Sequence, residues 1–393
     1  MFSFLIFVKI LSKKRMKYDY IFAGIGLASL MILDKMIDAK LLESKKVLLL
    51  EPNDKNCNDR TWCFWDNKLG DFDHLVSKKW EQALFVNECK TVQCLSDDSN
   101  YKMIESIRFY NYVLNKLDKY PEIVWKKESF IAFEDKNSEV IVTSNVAEYS
   151  TDKFFNSVFE VSKIENNINY PLLKQHFIGW FVRTTNPIFD VNCATFMDFS
   201  IPQKENTRFM YVLPFSENEA LVEYTLFSPS LLQESEYEEA ISDYLKEKGA
   251  TTFDIIKKEQ GNIPMTVFPF WKINSRNVLH IGTAGGWTKA STGYTFKNAI
   301  KQSERVVSLF KKTTIDFRKS HKTNRFLFYD KLFVKVLYKN NVLGKQIFSN
   351  MFIKVQPKKI FKFLDEESNL KQELEIIWAC PKIPFIKVLL GLK

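Results

Sequence analysis

The segment that most constrains the fold runs Tyr18-Asp-Tyr-Ile-Phe-Ala-Gly24-Ile-Gly26-Leu-Ala-Ser29, a short buried strand entering a GxGxxS turn. A helical stretch from Leu27 to about Leu42 follows, then Lys46-Val-Leu-Leu-Leu50, an uninterrupted apolar strand ending in Glu51. Strand, glycine turn, helix, strand and acid is the order of a dinucleotide-binding unit. Gly24 permits the tight turn and Gly26 lets the backbone approach a pyrophosphate. The helix N-terminus offers unpaired N–H groups and positive potential. Glu51 is placed to accept hydrogen bonds from a ribose diol. Ser29 stands where a third glycine is usual, and its small side chain still allows close helix–strand packing. The bland alternative is an ordinary glycine turn in an α/β sheet. The strand-terminal acid favours the dinucleotide.

The chain has 393 residues, room for two or three units of about 150 residues each. With 46% hydrophobic and 26% charged residues, and only 12 each of Gly and Pro, it is neither disordered nor collagen-like. The net charge of +9 favours an anionic lipid surface or a phosphate-bearing cofactor, and nucleic acid is not expected. Six cysteines without CxxC, and four histidines without metal-ligand spacing, give no reason to expect a disulfide framework or a metal. At the N-terminus, Phe2 to Leu11 is apolar but contains Lys9 and precedes Lys13, Lys14 and Arg15. A spanning helix needs about 20 apolar residues, twice this run, and a secretory signal has a different order. Residues 1–16 are expected to be an unstructured extension, with Met16 the functional start and a short interfacial anchor the alternative.

Asn58-Asp-Arg60-Thr-Trp62-Cys-Phe-Trp65 joins a polar knot to three large aromatics. Either the aromatics pin a loop, or Arg60 and Asp59 contact a cofactor beside a wall of Trp62 and Trp65 for an apolar ligand. From Gln175 to Met210 and on to Phe215 the chain turns aromatic and β-branched, predicting a second, largely antiparallel sheet with one strongly apolar face, a common wall of a substrate cavity. In Leu221-Val-Glu223-Tyr-Thr225, alternation puts Glu223 on a face with Leu221 and Thr225, where a carboxyl is unfavourable unless paired, neutral or useful. Burial would keep it protonated and able to act as an acid, whereas an edge-strand glutamate would simply face solvent. Glu217 and Glu219 belong to a polar turn, while Asp198, between apolar neighbours, is a candidate to orient substrate or stabilise positive charge.

Gly282-Thr-Ala-Gly285-Gly286-Trp-Thr-Lys-Ala-Ser-Thr-Gly293 follows a strand and precedes a helix, forming a second backbone cradle. Two cradles about 260 residues apart suit FAD laid across one domain. Beyond about residue 316 the period is helical, with Lys and Phe clusters that could meet a membrane or cover a cavity. The architecture expected is α/β. A discontinuous Rossmann-like FAD-binding domain would take residues 17–70, 96–165 and 275–315; a substrate domain, 71–95 and 166–274; and a helical C-terminal region, 316–393.

Assembled, these residues resemble the lycopene β-cyclase family of flavoproteins. The likeness extends from about Tyr18 through the C-terminal region. It rests on the Gly24–Ser29 turn, Asn58 to Trp65, Gln175-His-Phe-Ile-Gly-Trp180, Phe196-Met-Asp-Phe199, Leu213-Pro-Phe and Glu219-Ala-Leu-Val-Glu-Tyr-Thr225. It continues through Gly261-Asn-Ile-Pro264, Ile281 to Trp287, Ser291 to Phe296 and Phe363-Leu-Asp-Glu366. The resemblance implies bound FAD kept reduced by NAD(P)H, and closure of the ψ-ends of lycopene into β-ionone rings, through γ-carotene to β-carotene, without net redox change. It implies that Glu223 is the essential acid. From the residues themselves, Asp198 is the second candidate catalytic group, and Trp62, Trp65, Trp180 and Phe196 are candidates for apolar or cation–π contact with substrate. Gly24, Gly26, Ser29, Glu51, Arg60, Gly282, Gly285, Gly286 and Gly293 would hold the cofactor. Tyr224 departs from the family, many of whose bacterial members carry an acid there. A C40 hydrocarbon implies a peripheral enzyme on the cytoplasmic face of a membrane, without a spanning helix, in contact with lipid and with other enzymes of carotenoid synthesis. Competing readings are another FAD enzyme of the same fold, a monooxygenase or prenyl reductase, and a non-catalytic carotenoid carrier.

Overall fold

The computed structural model describes residues 15–392 apart from 68, 97, 166, 168 and 313. The expected N-terminal extension therefore lies outside the described residues except at its last two positions, where Arg15 pairs with Glu148 and Met16 opens the first strand.

Three sheets organise the described residues. The first takes β1 (Met16–Ala23), β2 (Val47–Leu50), β8 (Ile123–Lys126), β9 (Phe130–Asp135), β10 (Val140–Ser144), β11 (Glu148–Asn156) and β17 (Val278–His280). A small one takes β3 (Thr61–Asn67), β4 (Lys78–Trp80) and β7 (Ser99–Glu105). The third takes β5 (Gln82–Val86), β6 (Thr91–Gln93), β12 (Leu173–Thr184), β13 (Cys193–Asp198), β14 (Thr207–Pro214), β15 (Glu219–Ser228) and β16 (Phe253–Met265). The longer helices are α1 (Leu27–Asp38), α2 (Ser106–Leu117), α3 (Glu234–Glu247), α4 (Phe296–Phe310), α5 (Arg325–Lys339), α6 (Leu343–Lys354), α7 (Pro357–Leu364), α8 (Leu370–Ala379) and α9 (Lys382–Leu389).

In the first sheet β8, β2, β1 and β11 run parallel in that order. One edge of β11 follows β1, and the other is shared between antiparallel β10 and parallel β17. The order reverses between β1 and β11, which places the glycine turn after β1 at the crevice where such sheets bind ligands. β2 is apolar throughout because helices cover it; Val47 to Leu50 are all buried.

The third sheet runs β16-β12-β15-β14-β13-β5-β6. Its residues alternate cleanly between two cores. Val222, Tyr224 and Leu226 pack against Tyr237, Ile241 and Leu245 of α3. Leu221 and Phe227 face inward against Trp65, Tyr101 and the C-terminal helices, from which Phe348, Phe352 and Phe361 join the same core. This agrees with the expected α/β architecture, inserted antiparallel sheet and helical C-terminal region.

β3 and β7, placed within 17–70 and 96–165, leave the parallel sheet and pair with β4 from 71–95, because Trp65, Trp80 and Tyr101 find apolar partners in the inner core. The small sheet thus joins the two units. The end of the helical C-terminal region is divided into α8 and α9, since Cys380 is extended ahead of Pro381, as a residue before proline prefers to be.

Candidate active site

The nucleotide crevice is built from two glycine turns brought together by the sheet. Gly24 has φ +77°, and a Cβ there would lie 2.5 Å from Ser157 Oγ. The Ser29 and Ser157 hydroxyls both donate to the Gly24 carbonyl oxygen, at 2.6 and 2.7 Å. At Gly26 a Cβ would meet nothing within 4 Å, so open space faces the first turn of α1. Glu51, buried, accepts from the Ile25 N–H at 2.9 Å and the Asn53 N–H at 3.1 Å, so the strand-terminal acid also fixes the turn. The second turn approaches the same helix: a Cβ on Gly282 would lie 3.2 Å from the Ala28 Cβ of α1. Gly285 and Gly286 close that turn, and Gly293, at φ +73°, packs onto β12, with Gln175 Oε1 2.4 Å from where its Cβ would stand. Gln175 Oε1 and Thr292 Oγ1 are buried without a hydrogen-bond partner beside Gly293. Two converging glycine turns, open space at Gly26 and orphaned polar atoms at the far end fit an elongated dinucleotide with a polar ring system.

Arg60 is exposed at the entry to β3, and its guanidinium donates to the Asp59 carbonyl oxygen. The Asp59 carboxylate is held by Ser106 and Tyr110 of α2 and by Lys55, so it does not pair with the Arg60 guanidinium. The aromatics divide between cores. Trp62 packs on Phe109 and Phe296 in the core of the first domain. Trp65 crosses to the inner face of the third sheet, where its ring meets Tyr294 at 4.7 Å and Phe361 at 4.5 Å between centroids. Phe196 lies parallel to Tyr294 at 6.2 Å. Tyr294 follows Gly293 directly, so the second glycine turn delivers an aromatic ring to the sheet that carries Glu223.

Glu223 projects from the middle of β15 onto this inner face and is 8% exposed. Tyr211 stands opposite it on β14 and Gly179 opposite it on β12. Tyr211 and Tyr101 share a hydroxyl–hydroxyl hydrogen bond of 2.9 Å. Thr225 Oγ1 lies 3.5 Å from Glu223 Oε2. Burial pushes the Glu223 carboxyl well above the ordinary glutamate range, and the neighbouring Glu259 carboxyl of β16 raises it further. Burial also pushes the nearby Cys63 thiol up to about 12. The face around Glu223 is therefore acid-bearing, aromatic and free of thiolate.

Asp198 and Trp180 are not brought to this face. Asp198 lies on the α3 side, where its carboxylate accepts from Tyr244 at 2.9 Å and from Ser200, and lies 3.2 Å from Lys248. These donors outweigh the effect of burial, which comes first and acts upward, and hold the carboxyl below its ordinary range. Its position follows from a register shift in β13 between Thr195 and Asp198, which a count by twos does not anticipate. Trp180 neighbours Gly179 in sequence and so takes the opposite face, against Phe253. Tyr224 points the same way, receiving a hydrogen bond from Arg208 at 2.7 Å. The departure at position 224 therefore lies behind the sheet from Glu223.

Sequence reasoning missed Tyr101, Tyr211, Tyr294, Gln175 and Glu259. It also missed a clasp from the end of α7. Asp365 accepts from Trp65 Nε1 at 2.7 Å and Lys297 at 2.6 Å, and Lys289, buried, meets Asp330 at 3.0 Å and Glu366 at 3.5 Å. Between them lies a cleft lined by Phe64, Trp65, Tyr294, Phe296 and Leu364.

A family model described as Lycopene cyclase protein matches residues 19–390. The lycopene beta-cyclase of Pantoea ananas is 22% identical over 303 residues, 74% of each chain. That of Paracoccus sp. (strain N81106 / MBIC 01143) is 28% identical over 140 residues, 34% of this chain and 36% of the relative, so that alignment spans about a third of each protein. Among solved structures, a geranylgeranyl bacteriochlorophyll reductase-like protein from Thermoplasma acidophilum superposes with TM-score 0.58 at 12% identity, covering 96% of this chain and 100% of that one. The halogenase PltM in complex with phloroglucinol and FAD superposes with TM-score 0.56 at 10% identity, covering 94% and 87%. These likenesses show the flavoprotein fold.

Proposed function

We propose, for a chain that belongs to the lycopene cyclase protein family, that it closes the ψ-ends of lycopene into β-ionone rings by acid-initiated isomerisation, giving γ-carotene and then β-carotene. The observation that carries this reading is a carboxyl, Glu223, buried on an aromatic face to which the second glycine turn delivers Tyr294, its proton affinity raised by that burial. A hydrocarbon offers nothing to hydrogen-bond, so its acid must keep a proton where water is scarce, and burial does this.

Glu223 holds the proton that goes to the terminal C=C. The tertiary cation formed is attacked by the neighbouring double bond within the chain, and a ring carbon then loses a proton, so atoms balance and no electrons are exchanged. Trp65, Phe196 and Tyr294 exclude water and present ring faces that favour positive charge. Gly24, Gly26, Ser29, Glu51, Arg60 and the turn from Gly282 to Gly293 would hold FAD. Bound there in the reduced form, with NAD(P)H as reductant, it supplies an electron-rich ring that stabilises developing positive charge.

Lycopene must come from a bilayer, and α8 and α9 offer a docking face. Leu370, Leu374 and Trp378 on α8 and Ile383, Ile386 and Leu389 on α9 are all at least half exposed, with Lys382 over the Trp378 ring at 3.7 Å. Among the described residues no helix is long and apolar enough to cross a membrane. The chain would rest on the cytoplasmic leaflet through this face, within reach of other enzymes of carotenoid synthesis.

The test is anaerobic incubation of lycopene in lipid with protein, FAD and reductant, followed by chromatography with mass detection. Isobaric γ- and β-carotene are expected, with conversion by Glu223→Gln lower by about 10²-fold or more. Unchanged lycopene in the presence of bound reduced flavin would overturn the reading. In a parallel incubation under air, reductant and O₂ consumed in step with product would assign a monooxygenase instead.

A further inference from the structure

Glu259 lies on β16, opposite Gly179 in the β12 register, just as Glu223 lies opposite Gly179 from the other side. The three residues therefore share one face of the sheet, with glycine in the middle. A Cβ on Gly179 would stand 2.7 Å from the Glu223 Cγ and 3.3 Å from the Glu259 Cγ, so the missing side chain is what lets the carboxyl groups approach. Their Cγ atoms therefore stand within about 6 Å of each other, and the Glu259 carboxyl adds to the rise in the proton affinity of Glu223. Two carboxylates turned toward each other over the strand between them repel when both are ionised. One retained proton turns that repulsion into an attraction.

We infer that Glu223 and Glu259 share a single proton across Gly179, and that Glu259 is the positioning residue that keeps this proton on Glu223. This rests on the reading of Glu223 as the acid. Glu259 is half-buried, Glu223 more deeply so, and the proton resides on the group in the less polar surroundings. The other titratable groups facing Glu223 are Tyr211 of β14, Cys63 of β3, Tyr101 of β7 and Tyr294 of the second glycine turn. Burial raises the proton affinity of each of these, so none of them adds a negative charge beside Glu223. Lys257, two residues along β16, lies over the Phe181 ring at 5.4 Å. A proton shared in this way survives to a higher pH than burial alone would allow, and an enzyme that protonates a hydrocarbon needs such persistence.

Infrared titration of the full chain, without lycopene, tests this through the C=O stretch of the protonated carboxyl. The expected result is a band lost in Glu223→Gln and retained in Glu259→Gln, but titrating about one pH unit or more lower in the latter. Glu259→Asp, which withdraws the second carboxyl by one methylene, should move it in the same direction by less. The alkaline limb of lycopene conversion should follow the same order. A Glu223 band whose titration is unmoved by both variants would overturn the inference. A shifted band with unchanged lycopene would leave the shared proton standing and remove the cyclase reading alone.

Discussion

At the scale of single residues, the site depends on a carboxyl in a place that ordinarily excludes one. Burial, reinforced by Glu259, raises the Glu223 value in the folded chain above the 4.5 of an ordinary glutamate. Between that value and the raised one, the folded chain holds a proton that the unfolded chain has released. Stability therefore falls as pH rises through this window and levels off above it. Glu223→Gln, which cannot ionise, should match the wild type in acid and become the more stable of the two as pH rises, the gap growing by at most about 1.4 kcal/mol per pH unit. Chemical denaturation across a pH series checks this, and a gap independent of pH would show that Glu223 is already ionised in the folded chain. Alternation along Leu221 to Thr225 was enough to place Glu223 among apolar groups. The same counting failed for Asp198 because of the register shift in β13. Glu259 left no comparable trace, since Asp254 to Gln260 lies on an edge strand whose side chains are mostly exposed and carry no alternation. The one local signal was Gly179, a glycine inside an aromatic strand, which marks a close approach.

At the scale of elements, the nucleotide-binding unit was readable because its strand, turn and helix are contiguous and each restricts the next. The small sheet was not, because β3, β4 and β7 meet only through pairing over long separations. Nor did sequence disclose how the C-terminal helices are fastened, because the ion pairs of Lys289, Lys297 and Lys301 with residues 365–367 join charges that look like ordinary surface residues. Burial lowers the affinity of Lys289 for its proton, but Asp330 and Glu366 more than restore it. Lys289→Met would leave two carboxylates without their cation, at a cost of about 3–5 kcal/mol. Urea titration should show this loss; a midpoint unchanged within error would mean that water already reaches the pair.

For the whole molecule, the two faces of the third sheet divide the labour between them: α3 closes one as structure, and the other is enclosed between the small sheet, the second glycine turn and the C-terminal helices. The membrane-docking proposal belongs at this scale. Leu374→Glu with Trp378→Glu, at positions 64% and 75% exposed, should abolish sedimentation with vesicles containing anionic lipid while leaving thermal unfolding unchanged. Undiminished sedimentation would locate docking elsewhere. The clasp has a consequence during synthesis. The first glycine turn leaves the ribosome early, but β17, the second turn and Asp365 follow some 250 to 340 residues later, on the order of tens of seconds at typical elongation rates. Until then the crevice lacks a wall and the aromatic inner face lacks its cover, so flavin retention would report that translation has passed residue 365.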